Sequence, residues 1–279
     1  MKNMKFFIIA CGCLLFSGCM TTTKTGTFGA DRKQFMVIPE KAWKAQSERS
    51  YKRFVQKAKN SQVMVIDAKL DKVLNNMKSH AESFRTGSKA WNWEINASLN
   101  GELNAYGFPG GKVVINTGLY WGLGLNEDEL AFVVAHEMAH ALRDHNREKA
   151  SLMVASNVAM LSASAGLGAL ATVATTVTSQ TAYVPKAWTM ESEADVLGLE
   201  IMANAGYNPE AALSFWKKYQ QEEERRKKYN VSPQMSETLF TKRMENISKF
   251  LPVMQEKYLQ AKNTGADSSV SLTTQNIVK

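Results

Sequence analysis

Apolar residues recur at helical spacing over 40–60 and again over 67–84, where Asp67 supplies an N-cap and Leu70, Val73, Leu74 and Met77 form one stripe. Between 91 and 117 the period shortens to two. Trp91, Trp93 and Ile95 alternate with polar residues, and the β-branched run 112–116 follows Pro109-Gly110-Gly111, which predicts a small antiparallel sheet. Helical spacing returns at Asn126, an N-cap followed by the acidic turn Glu127-Asp128-Glu129, and carries through Leu130, Val133 and Val134 to about Arg147. Asn208-Pro209 starts a further amphipathic helix through Phe215, Trp216 and Tyr219. The pattern as a whole predicts an α+β fold, mainly α, with helices as its scaffold.

The segment 150–185 has no charged residue in 36 positions. Two membrane spans need ~40 apolar residues and a turn, and a single span would put Glu191 across the bilayer from His136. Its Ser, Thr, Gly and Asn157 are unfavourable to insert. The segment is therefore expected to form a helical hairpin of small residues packed on the protein and covering the site.

The N-terminus changes the picture of where the chain resides. Lys2 and Lys5 precede an apolar stretch too short to span a bilayer, and Phe16-Ser17-Gly18-Cys19 closes it with small residues before a cysteine. This resembles a bacterial lipoprotein signal, with Phe16 where Leu is usual, and implies cleavage that leaves Cys19 lipidated. Met20 in place of Asp implies transfer to the outer membrane, with the folded part facing the periplasm. Cys11 and Cys13 lie inside the leader, so no disulfide or thiol nucleophile is left to the mature chain. The expected organisation is a leader over 1–18, a tether over 19–39, a catalytic domain over 40–262 and a disordered Ser/Thr-rich tail over 263–279.

Composition excludes one class of partner. The net charge is +8, but the densest basic run, Arg225 to Lys228, directly follows Glu222 to Glu224, a pattern of paired charges on a solvated helix rather than a nucleic-acid face.

The chemistry sits at His136-Glu137-Met138-Ala139-His140. On a helix, positions i and i+4 share a face, so both imidazoles reach one ion and Glu137 projects beside them. A catalytic zinc takes three protein ligands and leaves a position for water, whose proton needs a carboxylate such as Glu137. Arg143 and Asn146 stand where a metzincin would have Gly and His. His145, five residues past His140, projects about 140° away on a continuous helix and reads as a surface or helix-end residue, and His80 reads as structural. A carboxylate remains as third ligand: Glu191 and Asp195 are one turn apart, so Glu191 can bind the ion while Asp195 accepts the outer N–H of a ligating histidine. Glu193 faces elsewhere and reads as a solvated charge.

HEMAH, ESEAD about fifty residues later, NAYGFPGGKVVINTGL upstream and AGYNPEAALSFW downstream resemble the gluzincin metallopeptidases of the HtpX and CAAX-prenyl-protease type, on the bacterial lipoprotein branch that includes LoiP and BepA. The resemblance covers roughly 40–250. It implies a zincin fold, one Zn2+ per chain on His136, His140 and Glu191, Glu137 as base and Asp195 as supporting acid. It further implies that Asn104, Ala105 and Tyr106 pair with an extended polypeptide substrate, and that Arg243 stabilises the oxyanion, against the competing reading of Arg243 as a surface ion-pair residue. Relatives often carry a His-Pro pair six residues before that Arg; here Glu237 and Thr238 stand there, so Glu237 is the candidate fourth ligand. The implied function is a membrane-anchored metalloendopeptidase of envelope quality control acting on misfolded outer-membrane proteins. The alternative is a chaperone-like lipoprotein docked on outer-membrane assembly machinery, with zinc structural.

Overall fold

Helix α1 (Glu40–Asn60) occupies the first span that the apolar spacing marks out. The computed structural model describes residues 19–24, 30–167, 169–232 and 235–275. The expected leader 1–18 and the side chains of Cys19, 158–186 and 265–275 lie outside the described residues. Two short strands, β1 (Cys19–Met20) and β2 (Gln34–Phe35), pair antiparallel ahead of α1. After β3 (Met64–Val65), Asp67 caps α2 (Ala68–Lys78) by accepting the Lys69 N–H at 2.8 Å. Regular helix pauses at Ser79-His80 before the single turn α3 (Ala81–Phe84).

Strands β4 (Glu94–Ser98), β5 (Ala105–Phe108) and β6 (Lys112–Asn116) join β3 in the order β3-β4-β6-β5. The sheet is mixed, not antiparallel as local pattern predicts, because β4 and β6 run parallel. Gly110 and Gly111, both with positive φ, do turn β5 back onto β6. The chain from β4, however, passes over β6's place and leaves β5 at the edge. That insertion is a long-range choice with no signature in a two-residue period.

A short turn, α4 (Thr117–Tyr120), leads to the central helix α5 (Glu127–Leu142). Leu130, Phe132, Val133, Val134, Met138 and Leu142 are all buried, around most of the circumference of α5, so the helix runs through the core instead of along the surface. Its start is a capping box: Asn126 accepts the Glu129 N–H at 2.9 Å and Glu129 accepts the Asn126 N–H at 2.8 Å. Burial pushes the Glu129 carboxyl pKa up, but Lys218, Ser214 and the Asn126 amide outweigh it and leave it lowered. Its stabilising contribution is therefore full above the ordinary carboxylate pKa and is lost as pH falls through the lowered folded value. Asn126→Ala is expected to cost about 1 kcal/mol, read as a shift of the urea midpoint at unchanged slope.

Beyond α5 come α6 (His145–Leu167) and α7 (Ala169–Asn204), which pack on one another as the expected hairpin; the side chains that would show whether it covers the site lie outside the described residues. Among the described residues no helix is long and apolar enough to cross a membrane. The Glu-bearing helix is the second arm of this hairpin, not a separate element. Helix α8 (Ala211–Lys227) begins two residues after Asn208-Pro209, with the Asn208 carboxamide accepting the Glu210 N–H at 3.0 Å. Its charge run pairs as expected, Glu222 with Arg225 and Arg226, and Glu224 with Lys227. Helix α9 (Glu237–Gln275) then packs back along α7.

Candidate metal centre

Helix α7 crosses α5 with Gly198 against the His136 backbone, where a Cβ would stand 3.0 Å from the His136 nitrogen. Glu191 and Asp195 lie seven and three residues before that glycine, so they are carried onto the same face and delivered to the histidines. A larger residue at 198 would separate the two helices at the site.

His136, His140 and Glu191 form the group able to hold a metal among the described residues. The two Nε2 atoms are 3.0 Å apart, and Glu191 Oε2 lies 3.4 Å from His136 Nε2 and 3.6 Å from His140 Nε2. A tetrahedral ion about 2.0–2.1 Å from each donor requires donors about 3.3 Å apart, so the triangle fits zinc in size and in its N/N/O chemistry. Electrostatics agree. Burial pushes the Glu191 carboxyl up, but His140, His136 and Arg243 hold it well below the usual carboxylate range. Burial likewise disfavours charge on His136, yet Asp195 and Glu191 raise its pKa to about 9. A field that favours a proton on that ring favours a cation between the ligands.

Asp195 is fully buried and its Oδ1 lies 3.1 Å from His136 Nδ1, the supporting position expected of it. Arg243 belongs to the site and not to the surface. It is buried, donates from Nε and Nη2 to Asp195 at 2.9 and 2.6 Å and from Nη1 to Glu191 at 3.2 Å, and stacks 4.2 Å above the Trp216 ring.

Glu137 lines a cleft of about 520 Å³ together with His136, Glu191, Arg243 and Ala105. The edge strand β5 forms the cleft's other wall. Gly107 lets it approach, since a Cβ there would stand 2.6 Å from the Glu137 carbonyl oxygen. Asn116 donates to the Asn104 carbonyl at 3.0 Å, so by antiparallel alternation Asn104, Tyr106 and Phe108 turn their peptide groups to β6, and Ala105 and Gly107 turn theirs to the cleft. Asn104 Oδ1 already accepts the Ala105 N–H, and Asn146 donates to the Gly107 carbonyl, each at 2.9 Å.

Three expectations need correction. Glu193 is buried, not solvated: Arg143 and His145 contact its Oε2 at 3.2 and 3.0 Å, and Arg32 Nε lies 2.6 Å from its Oε1. His145 is also buried and stands against His140, because α5 ends at Leu142 and Asp144 takes a left-handed φ of 50°, which breaks the continuous helix assumed in placing it. Glu237 is exposed beside Tyr219 and Lys227 and is not part of the ligand group, so it is no fourth ligand in this arrangement. Within the described parts of 19–38, Gln34 donates to the Arg143 carbonyl and Arg32 to Glu148.

An HExxH helix, a glutamate from a crossing helix and an edge strand beside the base define a zincin-type metallopeptidase domain. The family profile of peptidase family M48 matches residues 66–250, and the chain belongs to that family. It is 31% identical over 174 residues to the mitochondrial metalloendopeptidase OMA1 of Saccharomyces cerevisiae, covering 61% of this chain and 50% of that protein. Over 182 residues it is 30% identical to the beta-barrel assembly-enhancing protease of Escherichia coli, covering 59% of this chain and 36% of the other. The chain thus spans half or less of the length of these curated relatives.

Proposed function

We propose that the protein is a zinc-dependent endopeptidase, a reading carried by the ligand triangle of His136, His140 and Glu191 with Glu137 lining the same cleft as His136 and Glu191. Zinc held there supplies Lewis acidity to a peptide carbonyl and to an attacking water. Glu137 takes the proton that water gives up as its oxygen bonds to the carbonyl carbon, and returns it to the leaving nitrogen as the C–N bond breaks. Asp195 fixes the His136 ring by accepting from Nδ1, and Arg243 holds Asp195 and Glu191 from behind. Arg243 also lines the cleft, which supports its assignment to the oxyanion. An extended substrate pairs as an added strand with the Ala105 carbonyl and the Gly107 N–H on β5, the cleft-facing groups other than those bonded to Asn104 and Asn146, and is flanked by Asn104 and Tyr106.

The lipoprotein-like pattern ending at Cys19 supports attachment to the outer membrane with the domain in the periplasm. That address, with the similarity to a beta-barrel assembly-enhancing protease, supports misfolded outer-membrane proteins as substrates and their assembly machinery as partner. Purified protein is expected to carry one zinc per chain, to lose cleavage of unfolded polypeptide to phenanthroline and to regain it on addition of zinc. Undiminished cleavage after the metal is stripped would overturn the proposal. Labelling with radioactive palmitate, absent in Cys19→Ala, checks the anchor; equal labelling of that variant rejects it.

A further inference from the structure

His140 differs from His136 in how its outer nitrogen is supported. His136 Nδ1 faces the Asp195 carboxylate directly, whereas His140 Nδ1 faces another imidazole, His145 Nδ1, at 2.9 Å. The two rings meet edge-on, with centroids 4.9 Å apart and planes at 76°. On its far side His145 Nε2 lies 3.0 Å from Glu193 Oε2. Arg143 donates to the same oxygen from Nε and Nη2 at 3.3 and 3.2 Å, and Arg32 pairs with Oε1 at 2.6 Å. Arg143 is held in turn by Thr21 and Thr23 at 3.0 and 2.9 Å. None of these groups enters the hydrolytic steps.

The proton placement along this row is dictated from its ends. A carboxylate only accepts, so His145 Nε2 carries the hydrogen and donates to Glu193. A neutral ring then offers Nδ1 as a lone pair, which can only accept from His140 Nδ1–H. That leaves His140 Nε2 as the unprotonated nitrogen, the atom 3.0 Å from His136 Nε2 and 3.6 Å from Glu191 Oε2. We propose that His145 is a positioning residue for the metal ligand His140: it relays the Glu193 carboxylate through one neutral imidazole and so fixes the tautomer and ring orientation that binding needs. Outer partners of this kind are worth about 10–100-fold in metal affinity.

This inference rests on the metallopeptidase reading and is tested by zinc affinity, not by turnover. In competition against a chromophoric chelator, His145→Phe is expected to bind zinc about 10–100-fold more weakly than wild type. His145→Gln, whose carbonyl oxygen accepts from His140 and whose amide donates to Glu193, is expected to recover most of that loss. Equal affinity in wild type and His145→Phe, with the two metal-free proteins melting alike, overturns the proposal, as does a Gln variant no better than Phe. If His145→Phe fails to fold, nitrogen NMR of wild-type imidazoles decides. Protonation of His145 at Nε2 and of His140 at Nδ1 supports the relay, and the opposite tautomer at His145 refutes it. Wild-type protein that takes up no zinc at all would remove the metallopeptidase reading and this inference with it, an outcome distinct from a variant that matches a zinc-binding wild type.

Discussion

Glu137→Gln is expected to keep zinc bound and the fold intact while lowering kcat for peptide cleavage by about 10²–10⁴-fold or more. Gln preserves the shape of the side chain, which matters because β5 lies so close that a Cβ on Gly107 would stand 3.1 Å from Glu137 Oε2. It does not preserve the carboxylate's ability to take a proton. Glu137 is outside the ligand group, so zinc content should match wild type. The measurement is turnover of a quenched fluorogenic peptide beside metal analysis of the same preparation. Wild-type turnover in a zinc-loaded variant would exclude Glu137 as the base.

The second large effect is on stability. Arg143→Met is expected to destabilise the metal-free protein by about 3–5 kcal/mol, a large share of a typical domain's 5–15 kcal/mol. Arg143 is fully buried, and its guanidinium reaches Glu193, Thr21, Thr23 and the Arg32 carbonyl. Removing it takes one of two guanidinium partners from Glu193 and leaves it the Arg32 ion pair. Met keeps most of the apolar stem, so the loss measured is mainly that of a buried charge left short of its partner. Urea unfolding reads it directly, and a shift below about 1 kcal/mol would mean that water reaches the network and screens it.

Much of the site was legible because helix periodicity converts spacing into direction. HExxH placed His136, Glu137 and His140 on one face, and ESEAD placed Glu191 and Asp195 one turn apart, without reference to anything distant. The same rule misplaced His145, since it presumes that the helix continues, and at Asp144 it does not. Glu193 reads as solvated in the sequence for a related reason. A charge on a helix face opposite a recognised site looks solvated until a second segment supplies the cation, and here Arg32 and Arg143 come from remote positions.

Acting alone, the sequence determined the elements, their caps and the local constellation: the capping box at Asn126, the turn at Gly110-Gly111, the histidine pair and the carboxylate pair are all set by interactions within a few residues. The tertiary structure decided the rest. Whether β6 inserts between β4 and β5, how closely α7 crosses α5 at Gly198, and which buried carboxylate meets which guanidinium depend on contacts between segments far apart in the chain. Those contacts are chosen by the collective need to bury apolar faces and to pair every buried charge, a condition that no single window of residues contains.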